Sequence, residues 1–282
     1  MRIEVNGVRL FFDIEGAKFV PDGNKMREKP TLLLLHGGPG SDHSGFKPAF
    51  SQFADICQVV YLDHRANGRS DDGSMSDWNL AQWGDDVRAF CEALELEKPI
   101  VMGQSFGGFV AQSYATRHPD HPGKLIISSS SPTQRIDRIL EVFSRLAGPK
   151  AVEAARDFWM NGATEESLPR YQAEAMAHYS RTPQDPDGRS RAVRKSQVLF
   201  HFSGPDSEQH RYNFLPDLHR IKCPTLILGG EDDPVCPIQD QEDIVAAMNP
   251  ELVQFERFPS CGHGAYRDDP RVYSVIREFI LT

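Results

Sequence analysis

At 282 residues with a formal net charge of −9, the chain is long enough for one sizeable core plus an insertion, and its acidity argues against a nucleic-acid partner. No stretch is long and apolar enough to span a bilayer, and the N-terminus reads as strand rather than signal, so a cytoplasmic location is expected. The five cysteines, odd in number and irregularly spaced, fit free thiols in a reducing compartment.

In chain order, Arg2 to Val5, an Asn6-Gly7 turn and Val8 to Ile14 read as a hairpin, and residues 15 to 30, rich in Lys, Gly and Pro, as a loop. Thr31-Leu32-Leu33-Leu34-Leu35 is a buried strand that runs directly into His36-Gly37-Gly38-Pro39-Gly40. Adjacent glycines let backbone amides approach a bound carbonyl and Pro39 stiffens the loop, which makes the Gly38 amide a candidate oxyanion donor. His36 is read as a brace for that loop. A helix near Lys47 to Phe53, a strand from Cys57 to Leu62 and a helix from Leu80 to Leu94 follow.

Pro99-Ile100-Val101-Met102 then leads into Gly103-Gln104-Ser105-Phe106-Gly107-Gly108, which opens a helix that ends before Pro119. A sharp strand-to-helix turn strains the Ser backbone and demands small neighbours, which Gly103 and Gly107 supply. Ser105 is therefore the candidate nucleophile, and the Phe106 amide, at the helix N-terminus, the second oxyanion donor. Close by, His118-Pro119-Asp120-His121 carries two histidines, but Pro119 breaks the helix that would align them on a metal.

Leu125-Ile126-Ile127 resumes the sheet, and residues 132 to 220 interrupt the alternation. They are too long for a connection and too helical in pattern for a loop, with Ile139, Phe143 and Leu146 in one stretch and Ala151 to Trp159 in another, so they read as a lid. Phe158 and Trp159 are among its candidate substrate contacts. Arg189, Arg191, Arg194 and Lys195 form the densest basic cluster and read as the solvated face of a lid helix. Beyond it, the strand Pro224 to Gly229 leads to a turn where Asp232 and Asp233 compete as the acid, and the alternating strand Leu252 to Phe258 ends in Pro259-Ser260-Cys261-Gly262-His263-Gly264. His263 is the candidate base. Cys236 and Cys261 lie in the same two loops.

With these residues the chain resembles the α/β-hydrolase superfamily and, within it, the proline iminopeptidases, serine aminopeptidases that remove an N-terminal proline. His36 to Gly40 is similar to that family's oxyanion loop. Asp63-His64-Arg65-Ala66-Asn67-Gly68-Arg69-Ser70 resembles its Asp-Gln-Arg-Gly-x-Gly-x-Ser segment with His64 and Ala66 substituted. Asp233-Pro234-Val235-Cys236-Pro237 is similar to its acid turn, and Asp86-Val87-Arg88 and Leu94 resemble the helix before the nucleophile strand. The family spacing from Gly230 to Pro237 selects Asp233 as the acid, with Asp232 in reserve.

The resemblance implies an α/β-hydrolase fold: a mostly parallel central sheet with helices on both faces, built from residues 1–131 and 221–282, and an inserted helical cap at 132–220. It implies a serine hydrolase that forms an acyl-enzyme on a small molecule or short peptide, without cofactor or metal, using Ser105, His263 and Asp233 with the Gly38 and Phe106 amides. Some relatives hold the substrate's amine with glutamates in a Gly-Pro-Asn-Glu segment and directly after the catalytic Asp; here Gly204-Pro205-Asp206-Ser207 and Pro234 stand there. Asp206 or Glu208 is then the candidate anchor. A proline iminopeptidase-like aminopeptidase or amide hydrolase is the leading expectation. The alternatives are a small-molecule carboxylesterase, lactonase or amidase, and a ligand-binding receptor with a vestigial triad.

Overall fold

A computed structural model describes residues 1–282, apart from the side chain of Arg189. Its strands are β1 (Arg2–Val5), β2 (Val8–Glu15), β3 (Phe19–Asp22), β4 (Lys25–Glu28), β5 (Thr31–Leu35), β6 (Gln58–Leu62), β7 (Ile100–Gln104), β8 (Lys124–Ser128), β9 (Thr225–Gly230) and β10 (Val253–Phe258). Eight of them form one sheet in the order β1-β2-β6-β5-β7-β8-β9-β10. The pairs from β6 to β10 are parallel, and only β1–β2 and β2–β6 are antiparallel.

The helices are α1 (Leu80–Ala93), α2 (Phe106–Arg117), α3 (Ile136–Leu146), α4 (Pro149–Asn161), α5 (Ser167–Glu174), α6 (Gly188–Arg191), α7 (Ser196–Ser203), α8 (Ile238–Ala247) and α9 (Arg271–Leu281). Alternate residues of each central strand enter opposite cores, which is why β5 is buried throughout and all leucine after Thr31. Leu33 and Leu35 meet Val87, Phe90 and Tyr114 of α1 and α2 on one face. Leu32 and Leu34 share the other core with Phe50, Tyr266 and Ile276. Asn79 caps α1 by accepting from the Gln82 amide at 2.9 Å. Among the described residues, no helix is long and apolar enough to cross a membrane.

Two elements differ from the sequence reading. The helix expected near Lys47 to Phe53 is a pair of 3-10 segments, His43–Phe46 and Ala49–Asp55, because Pro48 between them has no amide to donate. The expected loop at 15 to 30 contains the β3–β4 hairpin, detached from the main sheet. Its residues are nearly all exposed on both faces, so no apolar alternation announces it.

Between β8 and β9 the chain leaves the sheet as α3 to α7. Phe143, Phe158, Trp159 and Tyr171 form a separate core there, which closes against Val235 and Cys236 from the loop after β9. This insertion covers the C-terminal edge of the strands, where open α/β sheets leave their crevice.

Candidate active site

Ser105 joins β7 to α2 with φ 55° and ψ −119°, a conformation that L-residues rarely adopt and that costs about 1–3 kcal/mol. Its surroundings enforce the strain. A Cβ on Gly103 would lie 2.2 Å from the Gly107 carbonyl oxygen, and one on Gly107 2.0 Å from that of Leu35. The Ser105 amide donates to the Ser128 carbonyl at 3.0 Å, and the Ser130 hydroxyl donates to the Ser105 carbonyl at 3.0 Å. The turn is thus fixed from β8 while the hydroxyl faces a cavity.

The glycine loop after β5 lies against that turn: a Cβ on Gly37 would come within 3.1 Å of the Ser105 Cβ. Gly38 has φ 66°, a glycine conformation, and among the described residues neither its amide nor that of Phe106 donates to a protein acceptor. His36 is buried and burial holds its pKa below the ordinary value. Its Nε2 accepts from the His64 amide at 3.3 Å, which leaves the proton on Nδ1, 3.1 Å from the Gly37 carbonyl. That is a bracing role.

The segment from Asp63 to Ser70 supplies the rest of the brace. Asn67 Oδ1 accepts from the Gly40 amide at 2.5 Å, and Arg69 reaches Asp42 at 2.7 Å. Asp63 is buried, which by itself raises its pKa, but the His43 imidazole at 2.6 Å and the Arg69 amide at 2.9 Å lower it to about 2. Arg65 and Asp86 form a buried ion pair at 2.7 Å, which ties the same segment to α1.

Asp233 and Asp232 have different fates. Asp233 is fully buried; its Oδ1 accepts the Val235 and Cys236 amides at 2.9 Å each, and His263 Nδ1 donates to Oδ2 at 2.9 Å. Asp232 faces outward and pairs with Arg145 at 2.6 Å. The His263 loop is held by the insertion, since its amide donates to the Tyr179 carbonyl at 2.5 Å and the Tyr179 ring stands 5.3 Å from the imidazole. With Nδ1 committed to Asp233, Nε2 is left to receive a proton.

Ser105, His263, Gly38, Phe106, Phe158 and Trp159 all line one cavity of about 510 Å³. Asp206 and Glu208 do not reach it, which corrects the sequence expectation. They border a separate hollow with Trp78 and His201, and Glu208 accepts from the Leu80 amide at 2.9 Å, at the start of α1. A first-turn amide of α1 has claimed the carboxylate, and burial raises its pKa.

Two residues escaped the sequence reading. Gln104 is buried in the cavity wall next to Ser105, and neither of its amide atoms has a protein partner. Asp268 accepts from the Gly262 amide at 2.8 Å and from the Ser180 hydroxyl at 2.5 Å, joining the His263 loop to the insertion. Only Gln104 carried a signal, its place just before the Ser. Of the two loop cysteines, Cys236 lines the cavity and Cys261 packs behind it.

The family model described as alpha/beta hydrolase fold matches residues 30–270. A proline iminopeptidase of Elizabethkingia meningoseptica is 26% identical over 269 residues, covering 87% of this chain and 87% of its own. Among solved structures, a proline iminopeptidase of Mycobacterium smegmatis superposes with a TM-score of 0.79 at 20% identity, over 99% of this chain and 97% of that one. An esterase from Exiguobacterium antarcticum gives 0.72 at 17% identity, with the same coverage. At such identities the structural likenesses speak for the fold.

Proposed function

Because the chain belongs to the α/β-hydrolase fold family, we propose that it is a serine hydrolase of the aminopeptidase or esterase type, working through an acyl-enzyme. One observation carries this reading: the buried Asp233–His263 pair and the strained Ser105 turn open onto a single cavity. In this reading Ser105 Oγ attacks the substrate carbonyl as His263 Nε2 takes its proton. The oxyanion settles between the Gly38 and Phe106 amides, whose fixed dipoles need no reorganisation as charge develops. His263 passes the proton to the departing nitrogen or oxygen, and water, activated by the same imidazole, releases the acid. Asp233 holds the tautomer and stabilises the imidazolium. The helices at 132–220 act as the lid that excludes bulk water.

Within this class, the charge of the lining favours an uncharged acyl group over an N-terminal ammonium. Asp42 is the cavity's one carboxylate among the described residues, and Ser44, Arg69 and the Val193 amide already occupy it. An ammonium desolvated without a partner costs several kcal/mol. The test compares p-nitrophenyl acetate with proline p-nitroanilide in the native protein and in Ser105→Ala. The native protein should turn over the ester with the higher kcat/KM, and Ser105→Ala should lose at least about a thousandfold with an unchanged circular dichroism spectrum. Retention of more than a few per cent of turnover would rule out Ser105 as nucleophile.

A further inference from the structure

The cavity mouth carries two cations that the proposed chemistry leaves unused, Arg194 and Arg267. Most arginines of this chain sit in ion pairs, as Arg9, Arg65, Arg69, Arg117 and Arg145 do. Among the described residues, no carboxylate lies within 4 Å of Arg194 or Arg267, although both have acidic or paired neighbours in sequence. Asp268 is taken up by Gly262, Ser180 and Thr182, Asp269 by Arg271, and Lys195, beside Arg194, by Asp72. In a chain of net charge −9 the overall field repels anions, so two unneutralised guanidiniums at one opening make a local exception. This revises the reading of Arg194 as part of a merely solvated face.

Arg267 also has a defined side. Its Nε passes 3.6 Å from the point where a Cβ on Gly264 would sit, directly after His263, and its guanidinium carbon lies 5.4 Å from the centroid of the Tyr266 ring, which steadies it. The deeper wall is apolar: Phe158 stacks on Tyr171 at 4.1 Å with Trp159 against both. Since His263 returns its proton to the leaving group, that group departs on the side where Arg267 stands.

We infer that the substrate is an apolar acyl group joined by an amide or ester bond to a small amino or hydroxy acid, whose free carboxylate is held at the mouth by Arg267 and Arg194. An N-acyl amino acid and an N-blocked dipeptide with its own C-terminus both meet this description. This rests on the serine-hydrolase reading and specifies its leaving group. Ser105 Oγ bonds to the carbonyl carbon, the C–N or C–O bond breaks, and His263 gives its proton to the departing amine or alkoxide. Water then adds to the acyl-enzyme, its hydroxide going to the acid and its proton, through His263, back to Ser105.

The experiment compares O-phenylacetyl glycolic acid with its primary carboxamide, two esters that differ in one charge, in the native protein and in Arg267→Gln and Arg194→Gln. The native protein should favour the carboxylate by about tenfold in kcat/KM at low salt, and the preference should shrink as sodium chloride is added. Arg267→Gln should bring the ratio close to one, and Arg194→Gln should reduce it. Because each ratio is taken within one protein, a variant that folds less well does not alter it. Equal rates for the two esters in the native protein, or a preference that survives both substitutions, would overturn the inference. The underlying reading is tested separately with p-nitrophenyl acetate: if the native protein cleaves it and Ser105→Ala does not, the serine-hydrolase reading stands whichever way the charge comparison falls.

Discussion

Two adjacent aspartates show how environment separates identical side chains. Asp233 accepts two backbone amides and the His263 imidazole in a site without solvent, whereas Asp232 is engaged by Arg145 at the surface. Asp233→Asn keeps the shape but offers His263 an amide that favours the wrong tautomer, so kcat should fall on the order of 10³- to 10⁴-fold. Asp232→Asn removes two part-exposed ion pairs, a close one to Arg145 and a longer one to Arg181, and should leave kcat within about twofold. Steady-state rates on p-nitrophenyl acetate decide it, and the reverse ranking would transfer the acid's role to Asp232.

Among the elements, the joint between α3 and α8 is poised to respond to pH between about 4 and 7. Arg138 of α3 reaches Asp240 at 2.8 Å and Asp243 at 2.6 Å, and the Ser131 hydroxyl donates to Asp240 at 2.7 Å. Burial outweighs these partners and raises the Asp240 pKa from 3.8 to about 6. Between those values the folded protein keeps a proton that the unfolded chain has released, so this contribution to stability is full below pH 3.8 and is lost as pH rises through about 6. An asparagine does not titrate. The melting temperature of the native protein should therefore fall relative to that of Asp240→Asn from pH 4 to pH 7, and scanning calorimetry at four pH values reads the difference. A difference that does not change with pH would mean that Asp240 is already ionised at pH 4.

For the molecule as a whole, the insertion and the sheet meet at two glycines. A Cβ on Gly40 would lie 2.3 Å from the Lys195 carbonyl oxygen, and one on Gly262 2.2 Å from that of Tyr179. The Lys195 amide donates to the Gly40 carbonyl at 2.7 Å and the His263 amide to that of Tyr179 at 2.5 Å. The two loops that carry the proposed oxyanion donor and base are thus stitched to the insertion. Gly262→Ala should push Tyr179 away and misplace His263, lowering kcat/KM on the order of 100-fold, as a shift of about 1 Å is able to do. Residues around Tyr179 should become more sensitive to limited proteolysis while the sheet stays intact. Native kcat/KM in that variant would mean that the His263 loop keeps its place without the insertion.

The sequence alone determined the Ser105 turn, the glycine loop after β5 and the alternation of strands and helices. Those features answer to short-range physics: a positive φ at Ser105, a Cβ clash at Gly103 or Gly107, and an unbroken buried run in β5 that the two cores impose. Asp233 was separable from Asp232 only through family spacing, and the geometry of the pair with His263 came from the fold. Tertiary structure decided which charges face the cavity. Glu208 stands in a segment where an ammonium anchor was expected, yet it serves the Leu80 amide, 128 positions away along the chain. Arg194 and Arg267, far apart in sequence, share one opening. No local pattern encodes such meetings, because a side chain's direction in the insertion is set by how its helices dock on the strand edge, and that docking is the sum of many weak contacts between distant residues.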